Sequence, residues 1–203
     1  TSGTDNSDIA IFGAGSWGTA LAVQFARAGH RVALWGRNAD QLRQMDEQRC
    51  NARYLPGIRF PDNLHPAPDL RQVASGHQDL LICVPSHSFR EILGAIRPHL
   101  QSGARIAWAT KGFEHDSGRL PHEVVREVLG KTVPVAVLSG PTFASEVGAG
   151  LPTAMTIAAS EQASHSGERA VQTMAPRSIS ARLCARAPSP GSKLDAALSS
   201  AAG

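Results

Sequence analysis

Up to about residue 160 the chain alternates two hydrophobic patterns. Short, nearly unbroken apolar runs occur at "DIAIF" (8–12), "RVALW" (31–35), "DLLICV" (79–84), "ARIAWA" (104–109), "VPVAVL" (133–138) and "TAMTIAA" (153–159). Runs of that length read as strands, and an unbroken one such as 79–84 reads as a strand covered on both faces. Between them lie segments of helical period. In "SWGTALAVQFARAG" (16–29), Leu21, Phe25 and Ala28 share a face and Gly29 ends the helix. Asn38 is placed to cap a helix over 39–52. Pro85 stops the third strand, and Ser86 is placed to cap "HSFREILGAI". Pro121 suits the first turn of "PHEVVREVL". Strands separated by helices predict an α/β domain built on a doubly wound, mostly parallel sheet.

The pattern stops near residue 163. Residues 164–203 hold no aromatic side chain, are rich in Ala, Ser, Arg and Pro, and show no sustained period. Such a stretch buries too little apolar area to offset an ordering entropy of about 1–2 kcal/mol per residue. The expected organisation is therefore one domain over 7–163 and a largely disordered segment over 164–203, with a short helix near 166–175.

Composition narrows the function classes. At 42% hydrophobic the chain can bury a core, yet no apolar run approaches the roughly 18 residues of a membrane span. The first residues are polar and lack the pattern of a signal peptide. The formal charge of +3 is not spread over a face: residues 1–163 carry 15 basic and 15 acidic side chains, and residues 164–203 carry 5 and 2. A nucleic-acid partner is not expected for the neutral body. Cys50, Cys83 and Cys184 form no C-x-x-C pair, and the eight histidines lack ligand spacing, so no metal site is expected. Cys83 reads as a core residue. The cysteine usage fits a cytoplasmic setting.

The chemistry begins at "FGAGSWGTALA". Gly13, Gly15 and Gly18 follow the first strand in the order G-x-G-x-x-G and open the first helix. Gly13 permits a tight turn, Gly15 lets the backbone approach a pyrophosphate, and Gly18 allows close helix–sheet packing. The helix N-terminus then offers free N–H groups to phosphates. An NAD-selective site usually places an acid at the end of the second strand. Here the stretch is "LWGRN", with Arg37 instead, which can pair with a 2′-phosphate. The cofactor reading is thus NADP or NAD, leaning to NADP, unless Arg37 is an ordinary exposed loop residue. Lys111 in "WATKGFE" follows a strand end, where doubly wound sheets bind ligands, although a solvated lysine fits the same position. "LSGPTFASEV" also follows a strand. Its Ser139, Gly140, Pro141 and Thr142 make either a ligand-facing turn or a plain turn before a helix.

The four motifs "FGAGSWGTALA", "CVPSH", "ATKGFE" and "LSGPTFASEV" together resemble the bacterial NAD(P)-dependent glycerol-3-phosphate dehydrogenases over about residues 7–163. The resemblance implies a Rossmann domain and interconversion of dihydroxyacetone phosphate and sn-glycerol 3-phosphate for glycerophospholipid synthesis. It implies cofactor contacts from Gly13, Gly15, Ser16, Trp17, Gly18, Arg37, Lys111 and Ala144, and substrate contacts from Lys111, Gly140 and Thr142. It also implies an all-helical domain with a "GGALKN"-like motif, whose lysine is the family's proton donor. Residues 164–203 show no such motif, as a truncation or frameshift would produce, so no catalytic residue is assigned. Little or no turnover is expected of this chain. Phe143, Val147, Leu151 and Pro152 would then form an exposed apolar rim, with homodimerisation or self-association as its outcome. The rival readings are a ketopantoate-type reductase and a non-catalytic NAD(P)-binding module.

Overall fold

The computed structural model describes residues 8–140 and 142–159, together with the backbone of 172–174. The chain starts β1 (Asp8–Phe12), α1 (Ser16–Arg27), β2 (Arg31–Trp35), α2 (Ala39–Gln48). A small excursion follows, with β3 (Cys50–Asn51), β4 (Leu55–Arg59), β5 (Leu64–Ala67) and α3 (Leu70–Gly76). Then come β6 (Asp79–Ile82), α4 (Ser86–Ile96), β7 (Arg105–Trp108), α5 (Pro121–Leu129), β8 (Val135–Ser139), α6 (Ala144–Ala149), β9 (Met155–Ala159) and β10 (Gln172–Met174). The main sheet runs β10-β9-β8-β7-β6-β1-β2-β5. The six strands from β8 to β5 are parallel, and β9 and β10 are antiparallel. β3 and β4 make a separate antiparallel pair.

The period of two within each strand divides the interior into two layers. Ile9, Ile11, Leu34, Leu81, Leu138 and Ile157 point to one face and pack with Leu21 and Phe25 of α1. Ala10, Phe12, Leu80, Ile82, Ile106 and Trp108 point to the other and pack with Phe89 and Ile92 of α4 and Val125 of α5. All four residues of β6 are buried, as a central strand with helices on both faces requires.

The predicted α/β class and its principal strands hold. Asn38 caps α2 through its side chain, which accepts from the Gln41 N–H at 3.0 Å. The helix expected over 39–52 ends at Gln48, however, because Arg49 turns left-handed at φ 51° and its guanidinium donates to the carbonyls of Pro61 and Leu64. Ser86 is not a cap. Pro85 occupies the N-cap without a side-chain hydrogen bond, and Ser86 is the first helical residue. Pro66 is tolerated within β5 because β5 is the sheet edge. The backbone of Gln172–Met174, inside the helix expected near 166–175, is instead a strand on the β9 edge. Backbone pairing to an open edge overrides a weak local signal there. The rest of 164–203, including Cys184, lies outside the described residues.

Candidate active site

The parallel register places five strand ends on one rim. Phe12 of β1 stands level with Trp35 of β2 and Ile82 of β6, and Ile82 is level with Trp108 of β7, itself level with Val137 of β8. The loops after β1, β2, β7 and β8 hold Gly13, Arg37, Lys111 and Gly140. Residues far apart in sequence therefore share the carboxyl edge of the sheet, where open α/β sheets take ligands.

The three glycines have three different causes. Gly13 sits at φ 122°, and a Cβ there would lie 2.5 Å from the Cys83 carbonyl oxygen. Gly18 is closer still: its Cβ would fall 1.9 Å from the Gly13 carbonyl oxygen. These two are required by the fold. Around Gly15 a Cβ would meet nothing within 4 Å. Its backbone borders open space at the N-cap of α1, which has no side-chain cap and no acid in its first turn. Free N–H groups and a positive dipole end face that space. Ser16 and Trp17, the first helical residues, are half-buried, and Trp17 leans on the core. The donors suit an anion such as a pyrophosphate, and no packing contact requires a glycine at position 15.

Asn51 holds this turn in place, and sequence reading missed it. It is buried, and its amide donates to the Ala14 carbonyl at 3.0 Å and to Thr19 Oγ1 at 2.9 Å. Its own carbonyl accepts from the Tyr54 N–H. No local signal marked it: Asn51 falls within the helix expected over 39–52, whereas the fold places it in β3, three residues past the end of α2. Cys83, the residue after β6, backs the turn, and burial pushes its thiol above the ordinary value and leaves it neutral.

On the β7 side, Thr110 is buried and donates to the Val84 carbonyl at 2.8 Å. This fixes the start of the loop from which exposed Lys111 reaches the Gly140 carbonyl at 3.4 Å. Further along, Arg90 of α4 clamps Glu114 at 2.7 and 3.0 Å, and Ser117 also donates to that carboxylate. Arg90 above all, then Ser117, holds the Glu114 carboxyl down to about 2. Gly140 has a structural reason of its own, since its Cβ would meet the Ala154 carbonyl at 2.8 Å. The Thr142 hydroxyl is buried and has no hydrogen-bond partner among the described residues. Ala144 opens α6 and packs partly on the core. The turn before α6 is thus also the ordinary helix entry that the sequence left open, with the Glu146 carboxylate accepting from the Phe143 N–H.

Two expectations change. Val147 does not join the apolar rim. It is fully buried, because α6 turns it onto α1, where Gln24 and Arg27 donate to the carbonyls of Val147 and Gly148. Phe143 (71% exposed) and Leu151 (52%) are on the surface with Pro152, and Phe113 (59%), not foreseen, joins them. Arg37 is not free of acids either: its guanidinium meets Glu91 of α4 at 3.1 Å.

A glycine turn opening a helix at the carboxyl rim of a doubly wound sheet defines a dinucleotide-binding domain. The family model for the N-terminus of NAD-dependent glycerol-3-phosphate dehydrogenase matches residues 8–165, and the chain belongs to that family. It is 54% identical over 153 residues to the glycerol-3-phosphate dehydrogenase [NAD(P)+] of Bartonella henselae, covering 75% of this chain and 45% of that protein. The corresponding enzyme of Serratia proteamaculans is 49% identical over 158 residues, covering 78% and 47%. A crystal structure of glycerol-3-phosphate dehydrogenase from Coxiella burnetii superposes with a TM-score of 0.72 at 47% identity, over 76% of this chain and 47% of that one. A ketopantoate reductase from Ralstonia eutropha reaches a TM-score of 0.51 at 24% identity, over 66% and 42%, which is likeness of fold alone. The chain spans about half the length of the curated relatives it matches.

Proposed function

We propose that residues 7–163 are the cofactor domain of a glycerol-3-phosphate dehydrogenase. In this reading the pyrophosphate of NADP or NAD lies on the N–H groups of the Gly13–Gly18 turn, Ser16 and Trp17 flank it, and Arg37 attends the adenosine ribose. Ala144 borders the nicotinamide. Lys111 meets both cofactor and substrate, held by the fixed start of its loop. Gly140 and Thr142 present a carbonyl and a hydroxyl to dihydroxyacetone phosphate or sn-glycerol 3-phosphate. The nicotinamide, when bound, supplies or accepts the hydride. The residues of this chain bind and orient the two reactants, which alone accounts for a large part of the rate advantage of such sites. The proton donor belongs to the length of the relatives that this chain does not match. The setting is cytoplasmic, the role is in glycerophospholipid synthesis, and residues 164–203 add to the domain no motif of the family, only the short strand Gln172–Met174 on its β9 edge.

The observation that carries the reading is the open space at Gly15 beside an uncapped helix N-terminus. The test is a titration of NADPH and NADH into the 203-residue chain, followed by tryptophan and nicotinamide fluorescence. Saturable binding of at least one, weakened when dihydroxyacetone phosphate site residue Lys111 is changed to Ala, supports it. A chain that binds neither nucleotide overturns it. Among the described residues, no helix is long and apolar enough to cross a membrane.

A further inference from the structure

The Arg37–Glu91 ion pair stands between the two walls of the glycine turn. On one side, the exit of β2 lies against the turn, since a Cβ on Gly36 would come 2.8 Å from the Ala14 side chain. On the other, the β6 exit that leads into α4 touches Gly13. Arg37 extends from the first wall and Glu91 from the second, and they meet at 3.1 Å with both side chains largely exposed, at 61% and 66%. The sequence offers no acid at the end of β2, but the fold brings one there through space from 54 residues away.

We infer that Glu91 sets the balance between NADPH and NADH by competing with a 2′-phosphate for Arg37. The inference rests on the proposed reading that Arg37 attends the adenosine ribose. A guanidinium pairs best with a phosphate through a two-pronged contact. With Glu91 engaged at Nη2, part of that fork is taken. A 2′-phosphate must displace the carboxylate or share the guanidinium with it, and it meets the negative charge of Glu91 within a Debye length. NADH carries a hydroxyl at that position and meets neither cost. Glu91 thus lowers the affinity for the phosphorylated cofactor alone and levels the two.

The experiment measures dissociation constants of NADPH and NADH for the 203-residue chain at low ionic strength, for wild type, Glu91→Gln and Arg37→Ala. Both side chains are exposed, so the variants keep the fold, and a melting curve checks this. For Glu91→Gln, NADPH tightens about two- to five-fold, the span of one exposed charge pair, and NADH does not move. High salt flattens the difference. If Arg37→Ala selectively loses NADPH while Glu91→Gln leaves the NADPH/NADH ratio as it was, the role given to Glu91 is wrong and the reading of Arg37 stands. A Glu91→Gln change that shifts both nucleotides equally overturns the inference as well, since a purely structural role acts on both. Equal losses for both nucleotides in Arg37→Ala, no loss in either, or a wild-type chain that binds neither, overturn the underlying reading and the inference with it.

Discussion

A Cβ on Gly18 would stand 1.9 Å from the carbonyl oxygen of Gly13, so the first turn of α1 and the exit of β1 touch backbone to backbone. Gly15 lies between them in sequence, yet a Cβ there meets nothing within 4 Å. One motif thus contains residues fixed by packing and one left free by it.

That contrast separates stability from binding. Gly18→Ala should destabilise the chain at or above the top of the ~1–3 kcal/mol range of overpacked cores, since only backbone movement relieves the contact. Gly15→Ala should cost below about 1 kcal/mol, the scale of an N-cap change, because its φ of −80° suits alanine. Nucleotide binding should nevertheless fall sharply in Gly15→Ala, where the methyl occupies the space facing the N–H groups. Denaturant melts and NADPH titrations of both variants check this. A Gly15→Ala chain that binds normally would show that the open space is not the pyrophosphate site.

Asn51 offers a second separation. Its amide satisfies the Ala14 carbonyl and the Thr19 hydroxyl inside the domain. Asn51→Leu keeps the volume but leaves both groups unpaired, so stability should fall by about 1–3 kcal/mol. Because Ala14 is part of the glycine turn, NADPH affinity should also drop in the fraction that remains folded. Unchanged affinity at saturating stability would mean that the turn keeps its shape without this tether.

The β1–α1–β2 unit was legible because its signals are local: two apolar runs, a helical period and three glycines in 29 residues, 9–37. The rim location of Lys111 and Gly140 followed from strand order alone. What was not legible depends on the third dimension. The pairing of Glu91 with Arg37 spans 54 residues. α3, β4 and β5 are too short to show a period, so their formation is decided by Asp69 capping and by strand pairing. Val147 looked like rim because its neighbours Phe143 and Leu151 are, but six residues of helix are enough to turn one side chain inward.

Acid should loosen the loop that follows Lys111. The Glu114 carboxyl is drawn from its ordinary 4.5 to about 2 by Arg90 and then Ser117. A depressed folded-state value contributes stability above the unfolded value, and that contribution disappears as pH falls from about 4.5 towards 2. Wild type should therefore lose melting temperature over that interval more steeply than Glu114→Gln, which lacks the group. At neutral pH the variant should be the less stable of the two. Parallel melting curves for both proteins across the interval would remove Glu114 from the account.

The exposed apolar side chains lie where the site opens. Phe113 follows β7 two residues beyond Lys111, and Phe143 follows β8. Leu151 closes the excursion between β8 and β9, whose paired ends, Ser139 and Thr156, bring it back to the same rim. Exposed apolar groups that share one rim mark contact surfaces or sites of association. The 203-residue chain should therefore self-associate with rising concentration in sedimentation velocity. Phe143→Ser combined with Leu151→Ser should weaken that association. Side chains this exposed contribute little to folding, so the melting temperature should stay within the ~0.5 kcal/mol scatter of surface changes. NADPH binding should also be retained, because neither residue is among the donors at the glycine turn. A double variant that associates as strongly as wild type would place the contact elsewhere, and one that unfolds would mean that the rim is packed in solution against part of the chain itself.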